Sequence, residues 1–184
     1  MKTKTKTKTK RILLLLLTAA LVVSAVGCKK EEVINEPEAK LEGDLTSVIE
    51  KIYENTGFDL MTANNTVDLK DSDSVQYYMG LEDASKIKEA VVSEAMMSSQ
   101  AYSMVLARVN DGADAKAVAD AMLKGINQRK WICVMADDLK VAVYGDSVLL
   151  VMIASSMEDV ATSQKIVDAF EEICGGKLDT VLSK

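Results

Sequence analysis

Histidine is absent from all 184 residues. Without an imidazole, no Ser-His-Asp or Cys-His nucleophilic arrangement can be assembled. Zinc would fall to carboxylates and scattered thiols, a poor donor set for it. Proline occurs once, at Pro37, and cysteine three times. The nine glycines stand alone or paired at turns, so no glycine-rich phosphate loop is present. These absences leave no expected cofactor, nucleotide or metal centre.

Positive charge is concentrated at the front. Lys2, Lys4, Lys6, Lys8, Lys10 and Arg11 precede every acidic residue, and an apolar stretch from Ile12 to Val26 follows, broken only by Thr18 and Ser24. A basic head, an apolar middle and a small-residue exit are the parts of a secretory signal. About fifteen helical residues span roughly 22 Å, short of a bilayer core of about 30 Å, so a permanent transmembrane helix is the weaker reading. The exit, Ala25-Val26-Gly27-Cys28, looks like the lipobox of bacterial lipoproteins, with alanine where leucine is more usual. Residues 1–27 are therefore expected to be a signal peptide and Cys28 the site of lipid attachment. The chain is then anchored on the extracytoplasmic face of the membrane. Two acyl chains hold a protein stably where one does not.

Losing residues 1–27 removes six Lys and Arg and no acid. That leaves 16 basic against 28 acidic residues, a net charge of −12. Phosphate contacts need clustered Lys and Arg, so nucleic acid is excluded as a partner. Residues 28–43 are charged, hold the sole proline, and read as a flexible tether of roughly 20 Å root-mean-square span. Residues 44–176 are enough for one domain with a sizeable core, followed by a tail, 177–184.

Within the domain, Asp44 is placed to cap a helix with Leu45, Val48, Ile49, Ile52 and Tyr53 on one stripe, closed by Gly57. Phe58 to Gly80 reads as loop and short turns. Ile87–Met97 lies between helix and strand and leans to strand; Tyr102–Val109 has the β-branched content of a strand. Asn110-Asp111-Gly112 turns the chain into a helix buried along Ala115, Val118, Met122 and Ile126. Leu139, Val141 and Val143 alternate as a half-buried strand, Gly145-Asp146 is a hairpin turn, and Ser147–Ile153 reads as a central strand covered on both faces. Ser155 with Glu158 forms a capping box for a helix burying Val160, Ile166, Val167, Phe170 and Ile173, stopped at Gly175-Gly176. The expected fold is α+β: a two-layer sandwich, an antiparallel sheet of about four strands with helices mainly on one face.

From Val48 to Ile173 the chain resembles an uncharacterised lipoprotein domain family common in Firmicutes, catalogued only as a domain of unknown function. The resemblance rests on the lipobox, on Tyr77-Tyr78-Met79-Gly80, on the Met-rich strand region and on the hairpin from Val141 to Val151. It implies strand for Ile87–Met97 and supplies no catalytic residues. Such proteins are sometimes encoded near membrane-bound O-acyltransferases, which implies an accessory role in surface-polymer O-acylation.

Among residues able to carry chemistry, Cys133 and Cys174 lie near the ends of two helices. They admit a disulfide, worth about 3–4 kcal/mol in the chain-entropy model, or a redox pair. Their apolar surroundings favour buried thiols. Asp71-Ser72-Asp73 opens like a calcium loop, but Val75 and Gln76 fill the next ligand and glycine positions, which excludes an EF-hand. Ten methionines fit core filling better than copper. Tyr77, Tyr78, Tyr102 and Trp131 are candidates for an aromatic contact surface. The expected function is a non-enzymatic binding or accessory module of an envelope complex, with an envelope protein as partner. The alternatives are a small-ligand or cation-binding lipoprotein and a carboxylate-based hydrolase.

Overall fold

A computed structural model describes residues 40–184. The expected signal peptide, Cys28 and most of the expected tether lie outside the described residues. In the described part, helix α1 (Leu45–Thr56) leads to strand β1 (Thr62–Thr66), helix α2 (Ser72–Met79), and strands β2 (Ile87–Ala95) and β3 (Tyr102–Val109). Helix α3 (Ala115–Gly125), strands β4 (Asp138–Tyr144) and β5 (Ser147–Ile153), helix α4 (Ser163–Cys174) and strand β6 (Thr180–Ser183) complete it. All neighbouring strands are antiparallel, in the order β1-β2-β3-β5-β4-β6.

The sheet is therefore α+β as expected, but with six strands rather than about four. β1 was hidden because Thr-Ala-Asn-Asn-Thr has no apolar alternation, and all but Thr62 are exposed. β6 is four residues long and pairs with β4 from Val143↔Thr180 to Lys140↔Ser183. The segment expected to be a tail thus closes one side of the sheet. At the other boundary, Leu41 is buried and Arg108 donates to the carbonyls of Leu41 and Gly43, so the domain begins inside the expected tether.

Helices lie on both faces, not mainly on one. On one side, Ile49 and Ile52 of α1 and Ile166 and Phe170 of α4 cover Met104, Leu106, Leu149 and Val151. On the other, Val75 and Met79 of α2 and Val118 and Met122 of α3 cover Val92, Val105, Leu150 and Met152. Every residue of β5 is buried. Its unbroken apolar run was the sign of two-sided covering, because a strand with one wet face alternates. Two separate cores therefore sit back to back across the central strands.

Local chemistry explains the helix ends. Asp44 accepts from Ser47 N at 3.0 Å, and Gly57 ends α1 with φ 63°. The acidic run at 71–73 is a cap: Asp71 accepts from Asp73 N at 3.1 Å and from Ser74 Oγ at 2.7 Å. The expected capping box at Ser155 does not open α4. Ser155 N and Oγ are both bonded to Asp137, at 2.7 Å each, which leaves only one 3₁₀ turn there. Thr162 caps α4 instead, accepting from Lys165 N at 3.2 Å.

Candidate functional site

Polar residues at inward positions of the central strands mark the most unusual place in the domain. Glu94 on β2 and Ser103 on β3 stand directly opposite each other in register, on the face covered by α2 and α3. Lys130, from the loop after α3, reaches both. Its Nζ is 2.6 Å from Glu94 Oε1 and donates to Ser103 Oγ at 3.1 Å. The Glu94 contact is a close ion pair that lacks the alignment of a directed hydrogen bond. Only 1% of the Lys130 side chain is exposed.

Three aromatic rings close over the ammonium: Tyr77 at 4.6 Å, Tyr78 at 5.2 Å and Trp131 at 5.2 Å from ring centre to Nζ. All are within the roughly 6 Å over which a ring quadrupole attracts a cation. Tyr77 and Tyr78 meet edge to face at 4.9 Å. They come from the last turn of α2, held in place by a close glycine contact. Gly80, at φ 69°, lies against the backbone of Gly125 at the end of α3, where no Cβ fits on either side. The loop bearing Lys130 is tied at its base, with Gln128 Nε2 donating to Ala136 O at 2.8 Å and Ala136 N to Gln128 O at 3.0 Å.

Burial pushes the Lys130 ammonium below its ordinary value, and the Glu94 charge works against that shift. Partial desolvation, then the charge of Glu94, pushes the Tyr77 hydroxyl up, and the same causes act on Tyr78. Both rings are therefore neutral phenols. A Ser–Lys nucleophile needs a neutral amine beside a reachable hydroxyl. Here the amine is paired with a carboxylate and Ser103 is fully buried, so the geometry is that of a clasp rather than of a nucleophile. Beside it a depression of about 430 Å³ is lined by Asp73, Gln76, Tyr77, Asn127, Arg129 and Lys130.

The structure thus brings together three of the four expected aromatic contact residues, Tyr77, Tyr78 and Trp131. It removes the fourth. Tyr102 is fully buried on the opposite face, 4.7 Å from the Phe58 ring, with its hydroxyl 3.1 Å from that of Tyr53. Burial pushes its pKa far up. It faces the other way because Tyr102, Met104 and Leu106 alternate towards α1 and α4. Lys130, Glu94 and Ser103 were missed. Their signal was a charged or hydroxylated residue on the inward side of a strand: Glu94 in phase with Ala90 and Val92, Ser103 with Val105 and Ala107.

Beside this polar lining, apolar side chains are exposed on the segments that carry the clasp or pair with them. Met61, Met96 and Met97 are 68%, 63% and 54% exposed, Ile132 84% and Tyr77 43%. Met61 and Met96 are joined by a backbone hydrogen bond at this end of β1 and β2. A second cleft, of about 470 Å³, runs between α3 and the segment 80–87, lined by residues including Glu82, Asp83, Lys86 and Lys124.

Cys133 and Cys174 are free thiols. Trp131 and Val134, flanking Cys133, pack on the α2/α3 layer, while Cys174 packs on the α1/α4 layer, so the sheet lies between them. Cys133 is exposed rather than buried, in a left-handed conformation at φ 67°. Cys174 is half-buried, and burial, followed by the charges of Asp179 and Glu171, pushes its thiol up to about 12. On a chain with Cys28 acylated or replaced by serine, maleimide at pH 8 is expected to label Cys133 within minutes. Cys174 should stay unlabelled until denaturant is added, because the thiolate is the nucleophile. Intact-mass spectrometry reads the result, and equal rates at the two positions would contradict this placement.

Among the described residues, no group of three or more Cys, Asp or Glu is arranged to hold a metal ion, and no helix is long and apolar enough to cross a membrane. Compared with protein-family models, curated proteins and solved structures, the chain matches none of them.

Proposed function

We propose that this protein is a lipid-anchored, extracytoplasmic binding module, non-enzymatic, that recognises an envelope protein with the apolar end of its sheet. The observation that carries this reading is the clustering of exposed apolar side chains. Five of the six large exposed hydrophobics among the described residues lie on the segments that carry the clasp or pair with them: Met61, Tyr77, Met96, Met97 and Ile132. Large apolar side chains left exposed at one end of a sheet suit an interaction site, and methionines suit a surface that adapts to its partner.

The described chain enters at Lys40–Gly43, held by Arg108 near the C-terminal end of β3. The apolar cluster lies at the other end of that strand, about 25 Å away at roughly 3.3 Å per residue. An accessory part in surface-polymer O-acylation is a narrower form of the same reading.

Site-directed photocrosslinking in native membranes tests it. A photoreactive residue at Ile132 or Met97 is expected to capture a discrete envelope protein, and the same residue at Asp146, in the β4–β5 turn, to capture none. Capture should fail when Cys28 is replaced by serine. Equal capture from both ends, or none from either, would remove the proposal. The small-ligand reading has the cleft beside α3 in its favour, since about 470 Å³ falls in the usual range for small-molecule sites. Thermal shifts with calcium, amino acids or sugars would favour that reading, and a flat response would count against it.

A further inference from the structure

Among the described residues, nothing pairs with the outer side of edge strand β1. Natural sheets guard their edges with charges, proline or a covering element. β1 reads Thr62-Ala63-Asn64-Asn65-Thr66, with no charge and no proline, and its residues after Thr62 are all exposed. The nearest charged residues, Asp59 and Asp68, lie outside the strand.

The ladder to β2 fixes which backbone groups are free. Met96 N donates to Met61 O, and Val67 N to Ala90 O. Bonded pairs alternate in an antiparallel ladder, so Met61, Ala63, Asn65 and Val67 face β2. The N–H and C=O groups of Thr62, Asn64 and Thr66 therefore point outward. Placed antiparallel across a two-fold axis at Asn64, these three residues are self-complementary. Asn64 meets Asn64 of a second copy, and Thr62 meets Thr66, giving roughly six new backbone bonds.

The side chains match as well. Thr66 and Asn64 stand opposite Val91 and Ser93, so with Thr62 they share the face covered by α1 and α4. Pairing then sets Thr against Thr on that face, a favourable cross-strand pair, and Asn against Asn, with no like charges opposed. Closed two-fold symmetry is the commonest form of soluble oligomer, and a patch that fits itself is its requirement.

We propose that β1 is a pairing edge for a second copy of this chain, joined antiparallel about Asn64 into one continuous sheet across two protomers.

Cysteine crosslinking on the full-length, membrane-borne chain tests this, in a Cys133→Ser background. A bonded antiparallel pair has Cα atoms about 5.5 Å apart, inside the roughly 4.4–6.8 Å a disulfide spans. Asn64→Cys should give a disulfide-linked dimer on non-reducing gels. Thr66→Cys, equally exposed but four residues out of self-register, should give at least about fivefold less. Mixing differently tagged Thr62→Cys and Thr66→Cys chains should restore a mixed dimer. Adding Asn64→Pro to both should abolish it, since proline there removes only an outward N–H. Equal dimer from Asn64→Cys and Thr66→Cys, or none above the Cys133→Ser parent, would overturn the proposal. Survival of the mixed dimer with proline at 64 would do the same.

Discussion

Alanine at Gly80 should destabilise the domain by about 4 kcal/mol or more, whereas alanine at Gly57 should cost only about 1 kcal/mol. Both glycines cap helices in the left-handed region, at φ 69° and 63°, so the intrinsic strain of a side chain is the same at each. The difference is space. A Cβ on Gly57 meets nothing within 4 Å, whereas one on Gly80 would come within 2.6 Å of Gly125 C and overlap Ile126 N. Those are backbone atoms at the end of α3 and cannot turn aside as a side chain does. Urea unfolding of the two variants measures the comparison, and near-UV circular dichroism should show Tyr77 and Tyr78 displaced in the Gly80 variant alone. Equal losses at the two positions would show that the helix ends move apart freely.

Glu94→Ala should cost about 3–5 kcal/mol at neutral pH, because it leaves a buried ammonium without its counter-charge. For a domain of this size that is roughly a 10 °C fall in melting temperature. The stranded lysine gives the variant a distinctive pH dependence. Burial already holds Lys130 below its ordinary value, and loss of Glu94 removes the negative charge that opposes that. Between the lowered folded value and the ordinary 10.5, the unfolded chain binds the extra proton, so raising the pH favours the folded state. The deficit of Glu94→Ala is therefore largest near neutrality and narrows towards pH 10, by at most about 1.4 kcal/mol per pH unit. Replacing Lys130 by methionine in the same chain should recover most of the loss, since an apolar side chain of similar length leaves nothing uncompensated. A deficit that is flat with pH, or a double variant no better than Glu94→Ala, would show that the ammonium escapes to water.

Much of the fold was legible because its longest elements carry strong periodic signals. The stripe from Leu45 to Ile52, the turn at Gly145-Asp146 and the apolar run of β5 each specify one local structure. What failed were short or polar elements. β1 has nothing apolar to alternate, β6 is four residues long, and Ser155 is claimed by Asp137 from across the chain, which no local pattern reports. The two-layer expectation failed for a different reason. β5 already read as covered on both faces, which requires a helical layer on each side, and the architecture inferred from element order did not use it. The aromatic candidates were found by residue type, so Tyr77, Tyr78 and Trp131 were found while Tyr102 was carried along with them. Lys130 was invisible because a lysine in a loop ordinarily belongs to water. Only the partners at Glu94 and Ser103, distant in sequence, explain its burial.

The sheet that separates the two cores also separates two kinds of work. α1 and α4 pack with Leu41 on one layer, while α2, α3 and the Lys130 loop build the clasp on the other. Residues in different layers share few neighbours except through the strands between them, and substitutions without common partners act independently. Each layer is a core in its own right, and the domain needs both. Losses on the two sides of the sheet should therefore add, so a variant weakened in both cores is expected to lose about the sum of its two single losses.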